Sequence, residues 1–243
     1  MSILVIGESC LDVFTYGECN RMCPEAPVPV FNPINITENG GMAMNVYTNL
    51  LKMKTKVDIV TNNNFKDIKK TRFIDHRTNH MFMRLDEKDD DYGICDVKNI
   101  NFSEYDAIII SDYDKGFLSE EDIKYIGESH EAVFLDTKKV LGPWCETVKF
   151  IKFNSSEYDR SKANVNDKIS KKLIVTLGPR GAIHNGNTYP VPGVEIKDTS
   201  GAGDTFIAAL ASEYIKNKNI DDSITYANNC ATVVVQKKGV ATI

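Results

Sequence analysis

DTSGAGDTF, residues 198–206, follows a turn-rich segment and opens an amphipathic helix. A glycine-rich helix start leaves free backbone N–H groups that point at one spot, with the positive end of the helix dipole behind them. Gly201 and Gly203 let the backbone approach a phosphate closely, with only Ala202 between them. Asp204 places a carboxylate beside the same spot, where it can accept a proton from an attacking hydroxyl. The stretch therefore predicts an anion site next to a general base.

A simpler interpretation of this stretch assigns it no chemistry. Asp198, Thr199 and Ser200 would cap the helix, and the two glycines would only form a tight turn. A lone GxGD would favour that interpretation. The longer run is more specific, and other parts of the chain decide between the two.

The size and charge of the chain favour a small-molecule partner. With 243 residues, 42% of them hydrophobic, the chain can bury the core of one α/β domain. A net charge of −5 without a block of like charges gives no electrostatic footprint for nucleic acid or an anionic membrane. No apolar run approaches the roughly 18 residues that span a bilayer, and acidic residues stand where a signal peptide would begin. We therefore expect a cytoplasmic protein, with its six cysteines reduced and mostly buried.

Short apolar runs recur along the chain and are typical of strands buried on both faces of a parallel sheet. Helix-like stretches, such as 119–129 and 204–216, separate several of these runs. The alternation predicts an α/β fold, with a doubly wound, mostly parallel sheet flanked by helices. The expected strands are 3–6, 57–60, 107–110, 132–135, 150–153 and 173–176.

A proline-rich region interrupts this alternation. Residues 24–36 contain four prolines, so they cannot be helical and predict an extended edge strand or a lid. Residues 71–85 contain strand-like patches. We expect a single domain over 1–243, in which roughly 14–36 and 71–85 form a small β lid. The polar patch 62–70 is expected to be a surface connection or a truncated element.

DTSGAGDTF resembles the C-terminal signature of the ribokinase-like carbohydrate kinases, also called the phosphofructokinase-B type. In that family the glycine loop is the anion hole for the transferring phosphoryl group, and the aspartate after the second glycine is the catalytic base. The resemblance implies these roles for Gly201, Ala202, Gly203 and Asp204. It also implies that the chain uses ATP and Mg²⁺.

Two N-terminal segments resemble the sugar side of this family. GESCLDVFTYG, residues 7–17, is similar to the family's first strand and the turn after it, which implies that Asp12 binds sugar hydroxyls. NGGMAMNVYTNL, residues 39–50, is similar to the family's GGAAxNVA segment and implies a sugar pocket lined by Gly40, Gly41 and Asn45. Taken alone, Asp12 could be a turn residue, and the glycines could serve only close helix packing.

Three later segments resemble the nucleotide side. KFNSSEYD, from residue 152, has the NxxE spacing that implies Mg²⁺ held through water by Asn154 and Glu157. VTLGPRGA, from residue 175, and YANNCATVVVQKKG, from residue 226, imply contacts to ATP by Thr176, Gly178, Gly181 and Asn228. The NxxE pair alone could be an ordinary solvated loop. The common order of all these segments favours the family.

Three further stretches resemble the heptose-7-phosphate kinases within the family. They are NRMCPEAPVPVF at 20–31, RFIDHRTNHMFMRLDEKDDD at 72–91 and SDYDKGFLS at 111–119. This resemblance implies a heptose 7-phosphate phosphorylated at its anomeric hydroxyl. A dianionic acceptor needs compensating cations, and the candidates are Arg21, Arg72, Arg77, Arg84 and Lys115. Lys138, in LDTKK, resembles the lysine of a DPK segment and is assigned to the acceptor or the phosphate chain.

One departure from the family and two alternatives stay open. Between VDIVTN and KDIKKTRFID about one α/β unit of the family is missing, which could change the substrate or weaken lid closure. The same machinery would serve a ketohexose phosphate or a nucleoside, and a non-catalytic sensor could retain it. A nicotinamide enzyme is disfavoured, because GESCLD lacks GxGxxG. A small lid also leaves strand-edge surface that a homodimer would cover.

Overall fold

The computed structural model describes residues 1–243 and contains an eight-stranded main sheet. Its strands are β1 (Ser2–Gly7), β4 (Lys56–Val60), β7 (Ala107–Asp112), β8 (Val133–Thr137), β9 (Phe150–Asn154), β10 (Leu173–Thr176), β11 (Ala182–His184) and β12 (Asn187–Tyr189). Their order in the sheet is β12-β11-β10-β9-β8-β7-β1-β4. All neighbours from the β4 edge to β10 pair in parallel, and only the β10–β11 and β11–β12 pairs are antiparallel. The six predicted strands and the mostly parallel sheet are confirmed.

Helices cover both faces of this sheet, as predicted. Alternate residues of β7 enter two separate cores, since Ile108 and Ile110 lie in one and Ile109 in the other. The core with Ile109 also contains the apolar residues of the helix that follows DTSGAG. The helices are α1 (Ala43–Lys52), α2 (Glu120–Ser129), α3 (Ser155–Ser161), α4 (Asp167–Ser170), α5 (Ala202–Asn217) and α6 (Ile220–Val234).

A second, four-stranded sheet is built from the N-terminal third of the chain. Its order is β3-β2-β5-β6, with β2 (Ser9–Met22), β3 (Pro29–Met42), β5 (Lys69–Asp75) and β6 (Met81–Glu87). β3, which contains Pro29 and Pro33, is an edge strand, the place in a sheet where proline is tolerated. The strands reach beyond the expected lid limits, to Ser9 at one end and Met42 at the other. The expected turn after the first strand is also wrong, because only Glu8 separates β1 from β2.

The connection from the main sheet to the small one is short. Residues 61–68 join β4 to β5 without a helix, so β4 is the last strand of the main sheet. This agrees with the predicted loss of one α/β unit. The six cysteines are free thiols, four of them buried. None of the helices is both long and apolar enough to cross a membrane.

Candidate active site

The DTSGAGDTF stretch forms the start of α5. Gly201 adopts a left-handed backbone with φ of 77°, and an added Cβ there would stand 2.6 Å from Nδ2 of Asn45. Gly203 lies against the buried Lys152, whose Nζ would be 2.8 Å from an added Cβ. Gly201 therefore needs glycine for its left-handed backbone as well as for close approach, whereas the helical Gly203 is close only to the end of the Lys152 side chain. The helix start combines free N–H donors with a lysine ammonium, which together favour an anion.

Asp204 lies in the first turn of α5 and is 8% exposed. Asn45 donates from Nδ2 to its Oδ2 at 2.8 Å, and the Tyr113 hydroxyl donates to its Oδ1 at 3.0 Å. Burial raises the pKa of Asp204 to about 6, and Asp136 adds to this, while Asn45, Lys152 and Tyr113 oppose it. A carboxylate with such a pKa is still ionised at neutral pH and accepts a proton more readily than an exposed one.

A cavity of about 220 Å³ opens on one side of α5. It brings together residues from four separate segments of the sequence, including Ala202 and Gly203 of the glycine loop. The residues predicted for the nucleotide side that line it are Thr176, Gly178, Gly181 and Asn228. The sequence assigned these positions from separate motifs, and the fold places them around one space beside the predicted anion site.

The residues predicted for the sugar side form a second group, which contacts Asp204 through Asn45. Asp12 belongs to β2 and is 7% exposed, so it is a strand residue with a buried carboxylate. Arg72 Nη1 lies 2.6 Å from its Oδ1. Gly40 and Gly41 end β3, and an added Cβ at Gly41 would meet the carboxyl carbon of Asp12 at 2.9 Å. Asn45, one turn into α1, links this group to Asp204.

Asn154 and Glu157 form a capping box at the start of α3. The Asn154 side chain accepts from the Glu157 N–H at 2.9 Å, and the Glu157 carboxylate accepts from the Asn154 N–H at 2.7 Å. Glu157 also pairs with Lys138. Lys138 does not line the cavity, and its Nζ lies 5.2 Å from the centroid of the Tyr113 ring. Lys138 thus contacts both Glu157 and Tyr113, and its assignment to the acceptor or the phosphate chain stays a prediction.

The groups around Asn154 and Glu157 carry more negative than positive charge, which favours a further cation. The buried Oδ1 of Asp136 has no hydrogen-bond partner and lies 3.8 Å from Lys138 Nζ, while Lys152 Nζ binds the other carboxylate oxygen at 2.8 Å. Although burial opposes it, Asp136 and Glu157 hold the pKa of Lys138 above its usual value, which indicates a net negative surrounding. Amide and carboxylate oxygens are the donors that Mg²⁺ prefers. Asn154 and Glu157 supply such oxygens, and their assignment to Mg²⁺ held through water stays a prediction.

Basic side chains gather on the small sheet near Asp12. Lys70 of β5, opposite Asp12 in register, and Lys115 both bind the Asp89 carboxylate, at 2.9 and 2.8 Å. Arg84 is half-exposed and pairs with Asp86 at 2.7 Å. Among the other candidates, Arg77 pairs with Glu18 at the surface, and Arg21 is exposed near the end of β2.

Sequence reasoning missed Tyr113, Lys152, Lys70 and Glu8. Lys152 could have been found, because a lysine in the buried strand FIKFN needs a partner, and Asp136 supplies it at 2.8 Å. Tyr113 lies inside SDYDKGFLS, which was used only to identify a subgroup. Its contact with Asp204 joins positions 91 residues apart, so no spacing in the sequence displays it.

Comparison with known proteins finds similarity to a family model and to individual relatives. Residues 144–243 match the model of the pfkB family carbohydrate kinases. The bifunctional protein HldE of Nitratiruptor sp. is 31% identical over 290 aligned residues, which cover 99% of this chain and 62% of that protein. HldE of Helicobacter pylori J99 is 29% identical over 294 residues, covering 98% of this chain and 64% of the relative. The chain therefore spans less than two thirds of the length of these relatives.

Solved structures share the fold. Ribokinase from Thermotoga maritima superposes with a TM-score of 0.72 at 16% identity, covering 98% of this chain and 94% of that one. A nucleoside kinase from Methanocaldococcus jannaschii gives a TM-score of 0.70 at 18% identity, covering 98% and 93%. At these identities the likeness concerns the fold alone, and it confirms the ribokinase-like architecture.

Proposed function

Because residues 144–243 match the pfkB family of carbohydrate kinases and the chain is similar to HldE over nearly its whole length, we propose that it transfers the γ-phosphoryl group of ATP to a hydroxyl of a sugar phosphate, with Asp204 as the base. One observation carries the proposal. A buried carboxylate with a raised pKa stands at the helix start, next to the glycine loop that lines the Thr176 and Asn228 cavity, and Asn45 of the sugar-side group donates to it. A base that lies next to both groups of predicted residues suits phosphoryl transfer.

In this proposal each residue has a limited task. Asp204 takes the proton of the attacking hydroxyl, and the backbone N–H groups at 201–203 bind the transferring group. Lys152, beneath Gly203, adds positive charge where negative charge develops. Mg²⁺, when bound through Asn154 and Glu157, supplies further charge stabilisation for the phosphates. Closure of the small sheet over the acceptor would exclude water as a competing acceptor.

We propose heptose 7-phosphate as the acceptor. The resemblance of 20–31, 72–91 and 111–119 to heptose-7-phosphate kinases supports it, and so does the paired arrangement of Lys70 and Lys115. Both ammonium groups bind the single carboxylate of Asp89. Burial raises the pKa of Asp89, but hydrogen bonds from Lys115, Tyr92 and Lys70 outweigh burial and lower the pKa to about 2. Two lysines that converge on one anionic group can also bind a dianionic phosphate, and Arg72 and Arg84 lie on the same sheet.

The test is ADP release with ATP and Mg²⁺ against heptose 7-phosphate, the unphosphorylated heptose, ketohexose phosphates and nucleosides. We expect turnover with heptose 7-phosphate. Lys115→Met should raise KM for that acceptor roughly tenfold, the worth of one charge-assisted hydrogen bond, while KM for ATP stays unchanged. Lys98→Met removes an exposed lysine elsewhere and is the matched control. Turnover of another acceptor would replace the heptose assignment, and nucleotide binding without turnover of any acceptor would indicate a sensor.

We also propose that two chains associate through their small sheets. All residues of the edge strand β6 are exposed, among them Met81, Met83 and Leu85, and the opposite edge strand β3 exposes Ile34 and Ile36. Free strand edges with apolar side chains are surfaces that proteins usually cover. Light scattering should give the mass of a dimer at micromolar concentration. A monomer at all concentrations would contradict this proposal. The cytoplasmic location expected from the sequence stays a prediction.

A further inference from the structure

Tyr113 is the one phenol that touches the proposed base. It follows β7, and its hydroxyl donates to Oδ1 of Asp204, while Asn45 donates to Oδ2. The two donors bind different oxygens of the Asp204 carboxylate, so they fix both its position and its rotation about the Cβ–Cγ bond. Burial, with the charge of Asp204 next in effect, raises the pKa of Tyr113 well above its usual value. The phenol therefore remains a donor throughout the working pH range.

A second buried acid holds Tyr113 in place. Glu8, the single residue between β1 and β2, has no exposed surface. One of its carboxylate oxygens accepts the Tyr113 N–H at 2.9 Å, and the other accepts the Lys115 N–H at 3.0 Å. Lys139, which follows β8, also holds this loop, because its ammonium group pairs with Asp112 at 2.8 Å and with Asp114 at 3.0 Å. A loop held at so many points presents Tyr113 in one orientation.

We propose that Tyr113 is a positioning residue that orients the Asp204 carboxylate towards the acceptor hydroxyl, and that Glu8 fixes Tyr113 through the 112–116 loop. This inference rests on the proposed function for its catalytic meaning, but the contact itself does not depend on turnover. Asp204 is also faced by Asp136, Lys152 and Asn45, and Lys138 stands over the Tyr113 ring. Tyr113→Phe removes only the hydroxyl group and leaves these groups unchanged.

The effect on pH dependence has a definite sign. A donor to the ionised carboxylate lowers its pKa, so the pKa of Asp204 should rise above about 6 when the Tyr113 hydroxyl is removed. The base is active only when ionised, and activity falls as the pH drops through that pKa. In Tyr113→Phe the acid limb of kcat should therefore move to higher pH, by roughly one unit for the loss of one charge-assisted hydrogen bond.

The experiment measures the Asp204 titration directly, by NMR of protein labelled with ¹³C at the aspartate carboxyl carbons, in EDTA and without nucleotide. Asp204→Asn assigns the signal. The matched control is Tyr189→Phe, which removes a phenol that bonds Asp221 at the surface. We expect the Asp204 titration to move to higher pH in Tyr113→Phe and to stay in place in Tyr189→Phe. An unchanged titration in a folded Tyr113→Phe protein overturns the positioning role.

Glu8→Gln tests the second half of the inference. Its amide group would face one of the two loop N–H donors, so one hydrogen bond is lost and the loop loosens. We expect a smaller shift of the Asp204 titration in the same direction; no shift would overturn the part assigned to Glu8. The pH dependence of kcat in wild type and in Tyr113→Phe then tests whether this positioning affects catalysis. If wild type turns over no acceptor, the proposed function fails while the NMR result still decides the role of Tyr113.

Discussion

Replacing Asp204 by asparagine should lower turnover by about 10²–10⁴-fold, the range expected for loss of a general base. The amide cannot accept the proton of the acceptor hydroxyl. Its NH₂ group would also face Asn45 or Tyr113, which both donate to the carboxylate in the native protein. ATP binding should remain close to that of wild type, because Thr176, Gly178 and their neighbours in the cavity are untouched. Initial rates of ADP release and calorimetry with a nucleotide would measure the two effects separately.

The control for this variant is Asp222→Asn. Asp222 lies in the first turn of α6, as Asp204 does in α5, but it is exposed. The same chemical change at an equivalent helix position should leave the rate unchanged. In wild type the rate should fall below a pH of about 6, where Asp204 becomes protonated, and Asp204→Asn should lack this acid limb. Near-wild-type turnover in Asp204→Asn would remove Asp204 from the role of base.

The parts of the fold that the sequence predicts well are those governed by local patterns. The three β-branched isoleucines in 107–110 favour a buried strand, and DTSGAGDTF contains both the turn and the helix start. The small sheet is harder to predict, because its long strands carry polar residues such as Asp12 and Arg72 on a face that is covered. Their burial depends on pairing between strands 60 residues apart, which periodicity does not reveal.

The same distinction applies to the site. Single residues such as Asp204 and Gly203 follow from their motif, and Asn45, Thr176 and Asn228 follow from resemblance. The contacts that give these residues their chemistry are long-range. Lys152 beneath Gly203 comes from β9, and Tyr113 against Asp204 follows β7, with β8 between these two parallel strands. The carboxyl ends of such strands meet at one sheet edge, where α/β folds bind ligands. Sheet order was therefore the missing information.

Gly201→Ala should reduce kcat/KM by about 10²-fold, the effect of misplacing catalytic groups by about 1 Å. The backbone at Gly201 has φ of 77°, which costs an L-residue about 1–2 kcal/mol. The new methyl group would also stand 2.6 Å from Asn45 Nδ2 and 2.9 Å from Val240 Cγ1, so something must move. Asn45 is the donor that holds Asp204, and its displacement would disturb the base together with the anion loop.

Gly186→Ala separates strain from displacement. Gly186 has φ of 79°, nearly the value at Gly201, but no atom lies within 4 Å of the position of its Cβ. Both variants should therefore lose thermal stability through backbone strain, whereas only Gly201→Ala should show the roughly hundredfold reduction of kcat/KM. Melting temperatures and steady-state rates of the two proteins make the comparison. Equal losses of rate would show that strain alone acts, and that the close contact between Gly201 and Asn45 does not position the base.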